Sequence, residues 1–202
     1  MTKIIDNVFN HFSTVCTHKK WVAYYCFKFG IPFRGIFHDL SKFSPTEFIE
    51  SVKYYTGYRS PIDLCKEKNG VSKAWLHHKG RNRHHYEYWQ DNFDKGGTPL
   101  QMPRNDAIEM LADYLGAARA YMGNEFSYAD EYKWWKNKIS KGIAMHPQTK
   151  KFIDNALHLF KDIESKNNNV AKYLTPSVID SCYSNATYWY SGLQSDINKD
   201  KS

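Results

Sequence analysis

Residues 37–43 read Phe37-His38-Asp39-Leu40-Ser41-Lys42-Phe43, a histidine followed directly by an aspartate among apolar residues. Ile36, Phe37, Leu40 and Phe43 predict that this segment lies in a core, where an unpaired carboxylate is strongly disfavoured. A divalent metal ion removes that cost, because neutral imidazole and ionised carboxylate both ligate it. On a continuous helix, neighbouring side chains point about 100° apart, so His38 and Asp39 would flank an ion near a helix end. The alternative at this point is a core histidine beside a solvent-facing acid.

Working outward, residues 3–29 predict a long amphipathic helix, with Val8, Phe12, Val15, Val22, Cys26 and Phe29 on one stripe. His18 falls on that stripe and His11 sits one heptad earlier, as inward-facing ligands or as satisfied core histidines. Gly30 and Pro32 end the helix. A second helix over about 33–42 would carry His38 and Asp39. Ser44-Pro45-Thr46-Glu47 then reads as a fresh start, with Ser44 as cap and Glu47 completing a capping box. This third helix runs to about Tyr55, and residues 58–70 read as a loop or short irregular helix.

Four of the nine histidines lie between His77 and His85. If residues 71–89 are mainly helical, Val71, Trp75, His78, Asn82, His85 and Trp89 form an inward row, with His77, Arg81, His84 and Tyr88 beside it. Gly80 makes the register beyond it uncertain, and a solvated basic patch is the other reading. Residues 92–103 form a loop. Helix 104–122 presents Ile108, Leu111, Leu115, Ala118 and Met122, with Asp106, Glu109 and Asp113 on an adjoining strip. That strip continues through Gly116, where another helix can approach closely. Helices are expected near 128–143 and after His146-Pro147. The expected fold is therefore all-α, about six to eight helices over residues 1–165. Residues 166–202 read as a C-terminal appendage, with a helical piece near 176–193 and a disordered tip.

The bulk composition narrows the classes. The 202 residues suit one domain, 42% hydrophobic and 16% aromatic. No run approaches the ~20 apolar residues of a transmembrane helix. Asp6, Asn7 and Asn10 stand where a secretory signal would be apolar, which predicts a cytoplasmic protein. Cys16, Cys26, Cys65 and Cys182 are scattered without a C-x-x-C pair, against a disulfide framework or zinc knuckle; Cys16 and Cys26 read as small apolar residues of the first helix. A net charge of +7 favours anionic partners such as nucleotides or nucleic acid.

The order His18, His38-Asp39, a histidine cluster, then Asp113, on separate helices, resembles the HD-domain superfamily of metal-dependent phosphohydrolases. The blocks F-H-D-L-S-K-F-S-P, H-H-x-x-x-N-x-H-H-x-E-Y-W and E-M-L-A-D are similar to a small HD-like family of bacteria and their phages, over about residues 10–160. The resemblance implies that His18, His38, Asp39 and Asp113 hold one divalent ion. It gives His78 and His85 the place of ligands to a second, although their seven-residue spacing departs from the usual two-metal layout and also suits substrate ligands. Lys42 matches a lysine near the phosphate. The implied cofactor is Mn²⁺, Fe²⁺, Co²⁺ or Zn²⁺, as one ion or two.

The expected chemistry is hydrolysis of a nucleotide-like phosphate ester, with His38, Asp39 and Lys42 as catalytic residues and Lys79, Arg81, Asn82 and Arg83 against the substrate. Two alternatives stay open: a di-iron oxygenase using His18, His38, Asp39, His78, His85 and Asp113, and a basic nucleic-acid-binding module centred on residues 79–83. Oligomeric state is open too, since Tyr183, Tyr188, Trp189 and Tyr190 could cover an interface or the chain's own core.

Overall fold

In the computed structural model, which describes residues 2–199, the chain is all-α, as its periodicity predicts. The helices are α1 (Thr2–Lys28), α2 (Pro32–Phe37), α3 (Pro45–Lys53), α4 (Pro61–Asn69), α5 (Lys73–Lys79), α6 (Arg104–Met122), α7 (Tyr128–Ser140), α8 (Pro147–Ser165) and α9 (Pro176–Lys199). A two-residue hairpin, β1 (Gln90–Asp91) against β2 (Thr98–Pro99), interrupts the expected loop. No described helix is long and apolar enough to cross a membrane.

The core lies between α1, α6 and α8. Val22, Cys26 and Phe29 meet Ile108, Leu111 and Leu115, with Phe152, Ala156 and Phe160 closing the other side. Val15 is buried too, whereas Val8 and Phe12 at the start of the predicted stripe are exposed, as is Cys16. Two glycines set how closely the neighbours of α1 approach. A Cβ on Gly116 would lie 2.5 Å from Val22 Cγ2, and one on Gly35 would lie 2.7 Å from the Ala23 Cα. So α6 and α2 each press directly on α1, and the polar residues near those crossings are forced together.

Several expected boundaries move. The helix through residues 33–42 breaks: α2 ends at Phe37, and a 3-10 turn covers Leu40–Phe43. Its apolar residues are not core. Ile36, Phe37, Leu40 and Phe43 are 38–65% exposed, whereas His38 and Asp39 are 1% and 3% exposed. A six-residue helix lying on α1 can bury only one edge, and here that edge ends in the polar pair.

The segment 71–89 is not one helix either. α5 stops at Lys79 with Gly80 as its cap, and the His78 carbonyl then gathers the Arg81 and Asn82 backbone N–H groups and the Asn82 side chain (2.9 Å). Pro61 opens a regular α4 inside the expected irregular stretch. Beyond residue 166, Val170, Leu174, Ile179, Cys182 and Ala186 are buried in the same core as the preceding helices. Tyr183 packs on Phe152 and is half-buried, while Tyr188 and Trp189 face outward. The expected disordered tip lies outside the described residues.

Candidate metal centre

The site converges on Asp39. After α2 the backbone of His38 is extended and Asp39 is left-handed, at φ 52° and ψ 30°. A non-glycine residue takes that conformation at a cost, least for Asp and Asn. From α1, Lys19 holds the turn by donating to the carbonyls of Ile36 (2.5 Å) and His38 (2.9 Å). Leaving the helix here lets two adjacent side chains aim at one point, with His38 Nε2 3.1 Å from Asp39 Oδ2.

His18 from α1 and Asp113 from α6 complete a first group. His18 Nε2 lies 3.5 Å from Asp39 Oδ2 and 3.1 Å from Asp113 Oδ1, and His38 Nε2 lies 3.2 Å from that same Asp113 oxygen. The other Asp39 oxygen faces a second group. His78 Nε2 and His84 Nε2 each lie 3.3 Å from Oδ1. His85 stacks beside them, its ring centroid 4.2 Å from that of His84 and 4.8 Å from that of His78. One ligand atom from each of His18, His38, Asp39 and Asp113 falls within 4.8 Å of the others, and so does one from each of Asp39, His78, His84 and His85. The two groups share Asp39.

Behind the rings stand two acids. Glu109 Oε1 lies 2.9 Å from His38 Nδ1 and 3.2 Å from His84 Nδ1. Glu47 Oε2 lies 2.7 Å from His78 Nδ1, while its Oε1 lies 2.6 Å from His77 Nδ1. A carboxylate at Nδ1 selects the tautomer that turns a bare Nε2 toward Asp39, the support that metal-bound histidines require. Ser44 does cap α3, accepting from the Glu47 backbone N–H at 3.4 Å, but the Glu47 side chain serves the histidines instead of the expected capping box. Arg34 and Arg83 anchor the far side through Asp106, and Arg34 also reaches Glu109 at 2.9 Å.

The donor set fits a transition-metal ion on its polar bookkeeping alone. Both oxygens of Asp39 and the Nε2 atoms of His84 and His85 are buried without a hydrogen-bond partner, a state that folded proteins seldom leave uncompensated. Lys42 Nζ approaches Asp39 Oδ2 at 2.6 Å as an ion pair outside hydrogen-bond alignment. Burial would raise the Asp39 carboxyl, but His38 first, then Lys42 and the other histidines, hold it well below the usual carboxylate range. Asp113 is held low against burial by His18 and His38. Burial, then His84 and His78, push His85 well below the ordinary histidine value, so it is a neutral base. Mixed His and Asp donors suit Mn²⁺, Fe²⁺, Co²⁺ or Zn²⁺.

A cavity of about 180 Å³ reaches this centre, lined by His11, His18, Lys42, His78, His85 and Asp113 among others. Burial, then Lys42, bring the His11 ring down to about 4, so it too is neutral. All six expected metal ligands, and Lys42, meet here. The expected substrate residues do not. Lys79, Arg81, Asn82 and Arg83 are absent from the cavity wall because the chain turns away after α5. Arg81 is exposed, and Asn82 Nδ2 donates to Ser41 Oγ (2.9 Å), steadying the His38-Asp39 turn. Arg83 pairs with Asp106 and lies over the Trp89 ring.

Three members of the centre lie outside the sequence expectation. A single-helix register puts His84 on the outer row, and a capping box takes Glu47 for the helix end. Glu109 lies one turn before Asp113 on the same strip of α6, and that spacing was the available signal.

The family model described as a family of unknown function (DUF5662) matches residues 7–159. No curated protein and no solved structure matches the chain.

Proposed function

The chain belongs to DUF5662, a family of unknown function, so the site itself has to carry the functional reading, and we propose a metal-dependent phosphohydrolase of the HD type acting on a nucleotide-like phosphate ester. One observation carries it: Asp39 presents one oxygen to His18 and His38 and the other to His78 and His84, so a single carboxylate can bridge two ions. When bound, divalent ions supply a nucleophilic water at neutral pH and polarise a phosphoryl oxygen.

His18, His38, Asp39 and Asp113 would hold the first ion, and His78, His84 and His85, with Asp39, the second. Glu109 and Glu47 fix the ring orientations. Lys42 lines the cavity next to Asp39, where its ammonium offsets charge growing on phosphoryl oxygens. A small phosphorylated substrate of the cytoplasm is in keeping with this cavity. The shared carboxylate also suits a di-iron oxygenase, which an optical or EPR signature of coupled irons would reveal.

The test is elemental analysis of wild type and Asp39→Ala purified side by side, followed by phosphomonoester turnover with Mn²⁺ or Fe²⁺. Two ions per chain and hydrolysis in the wild type, with both lost in Asp39→Ala, are the expected result. Neither protein holding metal after supplementation would sink the proposal.

A further inference from the structure

A second cavity, of about 430 Å³, adjoins the first and shares Trp75, His85, Ala117 and Tyr121 with it. Its chemistry is the reverse of a phosphate site. Glu131 of α7 is only 6% exposed and lines this cavity, and its carboxyl has no hydrogen bond or ion pair among the described residues. Glu87, on the same wall, has a buried Oε2 without a hydrogen-bond partner. Asp63 and Asp130 stand exposed at the rim. Against these four carboxyls the wall offers one ammonium, that of Lys138.

The aromatic rings make the same preference visible. Lys138 Nζ lies 5.6, 5.4 and 5.2 Å from the ring centroids of Tyr86, Tyr114 and Trp134. Ring faces attract cations, and these three already hold the Lys138 ammonium, so it is the carboxyls of this wall that are left to a ligand. The buried Glu87 Oε2 and the unpartnered Glu131 carboxyl are satisfied by N–H donors brought by a ligand, whereas a second anion would be repelled by the Asp63, Glu87 and Asp130 carboxylates and would leave Oε2 unpaired.

We infer that this second cavity binds the part of the substrate that is not phosphate and selects a cationic or amine-edged aromatic group, against groups carrying further phosphate or carboxylate. The substrate is then a phosphomonoester of such a group rather than a di- or triphosphate. Only the word phosphate rests on the phosphohydrolase reading, and the preference of the cavity itself can be measured without turnover.

The probes are benzamidine and benzoate, planar rings of the same size and opposite charge. Each is titrated into the full-length protein, metal-loaded and after chelation, with quenching of tryptophan fluorescence and ligand-observed NMR as readouts. Trp75 and Trp134 line the cavity. Saturable benzamidine binding at pH 9, above the raised range of the Glu131 carboxyl, with benzoate at least about tenfold weaker and Glu131→Gln weakening benzamidine about tenfold, is expected. Equal binding of the two probes, binding of neither, or unchanged affinity in a folded Glu131→Gln protein would overturn the inference. Should that variant fail to fold by circular dichroism, the probe pair on wild type decides alone. Benzamidine selectivity in a protein that hydrolyses no phosphate ester would remove the hydrolase and leave the cavity's preference standing; turnover without that selectivity would do the reverse.

Discussion

Glu109 is the residue on which both halves of the centre depend, because one of its oxygens serves a ring from each group. Hydrogen bonds from His38 and His84 outweigh its burial and hold its carboxyl down to about 2, so it remains an anion throughout the physiological range. An amide cannot accept two Nδ1–H bonds through a neutral oxygen with equal strength. Glu109→Gln should therefore weaken both ions about 10–100-fold, the usual cost of losing an outer partner of a histidine ligand, as read by competition with a chromophoric chelator. His84→Ala should remove one ion and leave the other, whereas His77→Ala should keep both, since His77 touches only the outer oxygen of Glu47. Retention of two ions by His84→Ala would show that His85 alone completes the second group. The residues that gather around Asp39 were legible because His38-Asp39 and the histidine run are rare compositions. The acids behind them were not, because Glu47 and Glu109 sit in ordinary helical positions whose partners come from 30 and 71 residues away.

Among the elements, position follows from how closely helices can meet. Gly35 and Gly116 bring α2 and α6 onto α1 at Ala23 and Val22, near the turn of α1 that carries His18. An added methyl at either glycine meets backbone atoms as well as side-chain carbons: Ala23 Cα at 2.7 Å for Gly35, and Val22 Cγ2 at 2.5 Å with Val22 N at 3.0 Å for Gly116. Gly35→Ala and Gly116→Ala should each destabilise by about 1–3 kcal/mol through overpacking, measured by urea unfolding. They should also lower metal content, because Gly116→Ala forces apart the helices bearing His18 and Asp113, and Gly35→Ala lifts α2, and with it the His38-Asp39 turn, off α1. Full metal loading in Gly116→Ala would show that the ligands adapt independently of the helix pair. The long periodic helices α1 and α6 were readable at nearly their true bounds and α8 at its start, and the small residue at Gly116 foretold the close approach. α2 was not, since six residues carry too little period to show where a helix ends. Its break is set by tertiary contacts from Lys19 and by the Asp39 turn.

For the molecule as a whole, the consequence of gathering so many acids in one interior is a stability that depends on pH. Glu131 is the clearest contributor outside the histidine and aspartate cluster. Burial, then the like charge of Asp113, raise its carboxyl from 4.5 to about 8, with Lys138 opposing. An acid raised in the folded state is fully accommodated below its unfolded value of 4.5, where both states carry the proton. Between 4.5 and about 8 the folded state holds a proton that the unfolded chain has lost, so stability falls as pH rises through that window. Above it, the buried charge costs up to a few kcal/mol by linkage. Glutamine has the same shape and no charge to bury. Glu131→Gln should thus melt like wild type near pH 4 and above it by several degrees near pH 9, in scans of the chelated proteins. Bound cations at the centre offset the charge of Asp113, so metal loading should shrink the difference. An unchanged difference on loading would mean that Asp113 does not act on Glu131, and that the two adjoining cavities are electrostatically separate.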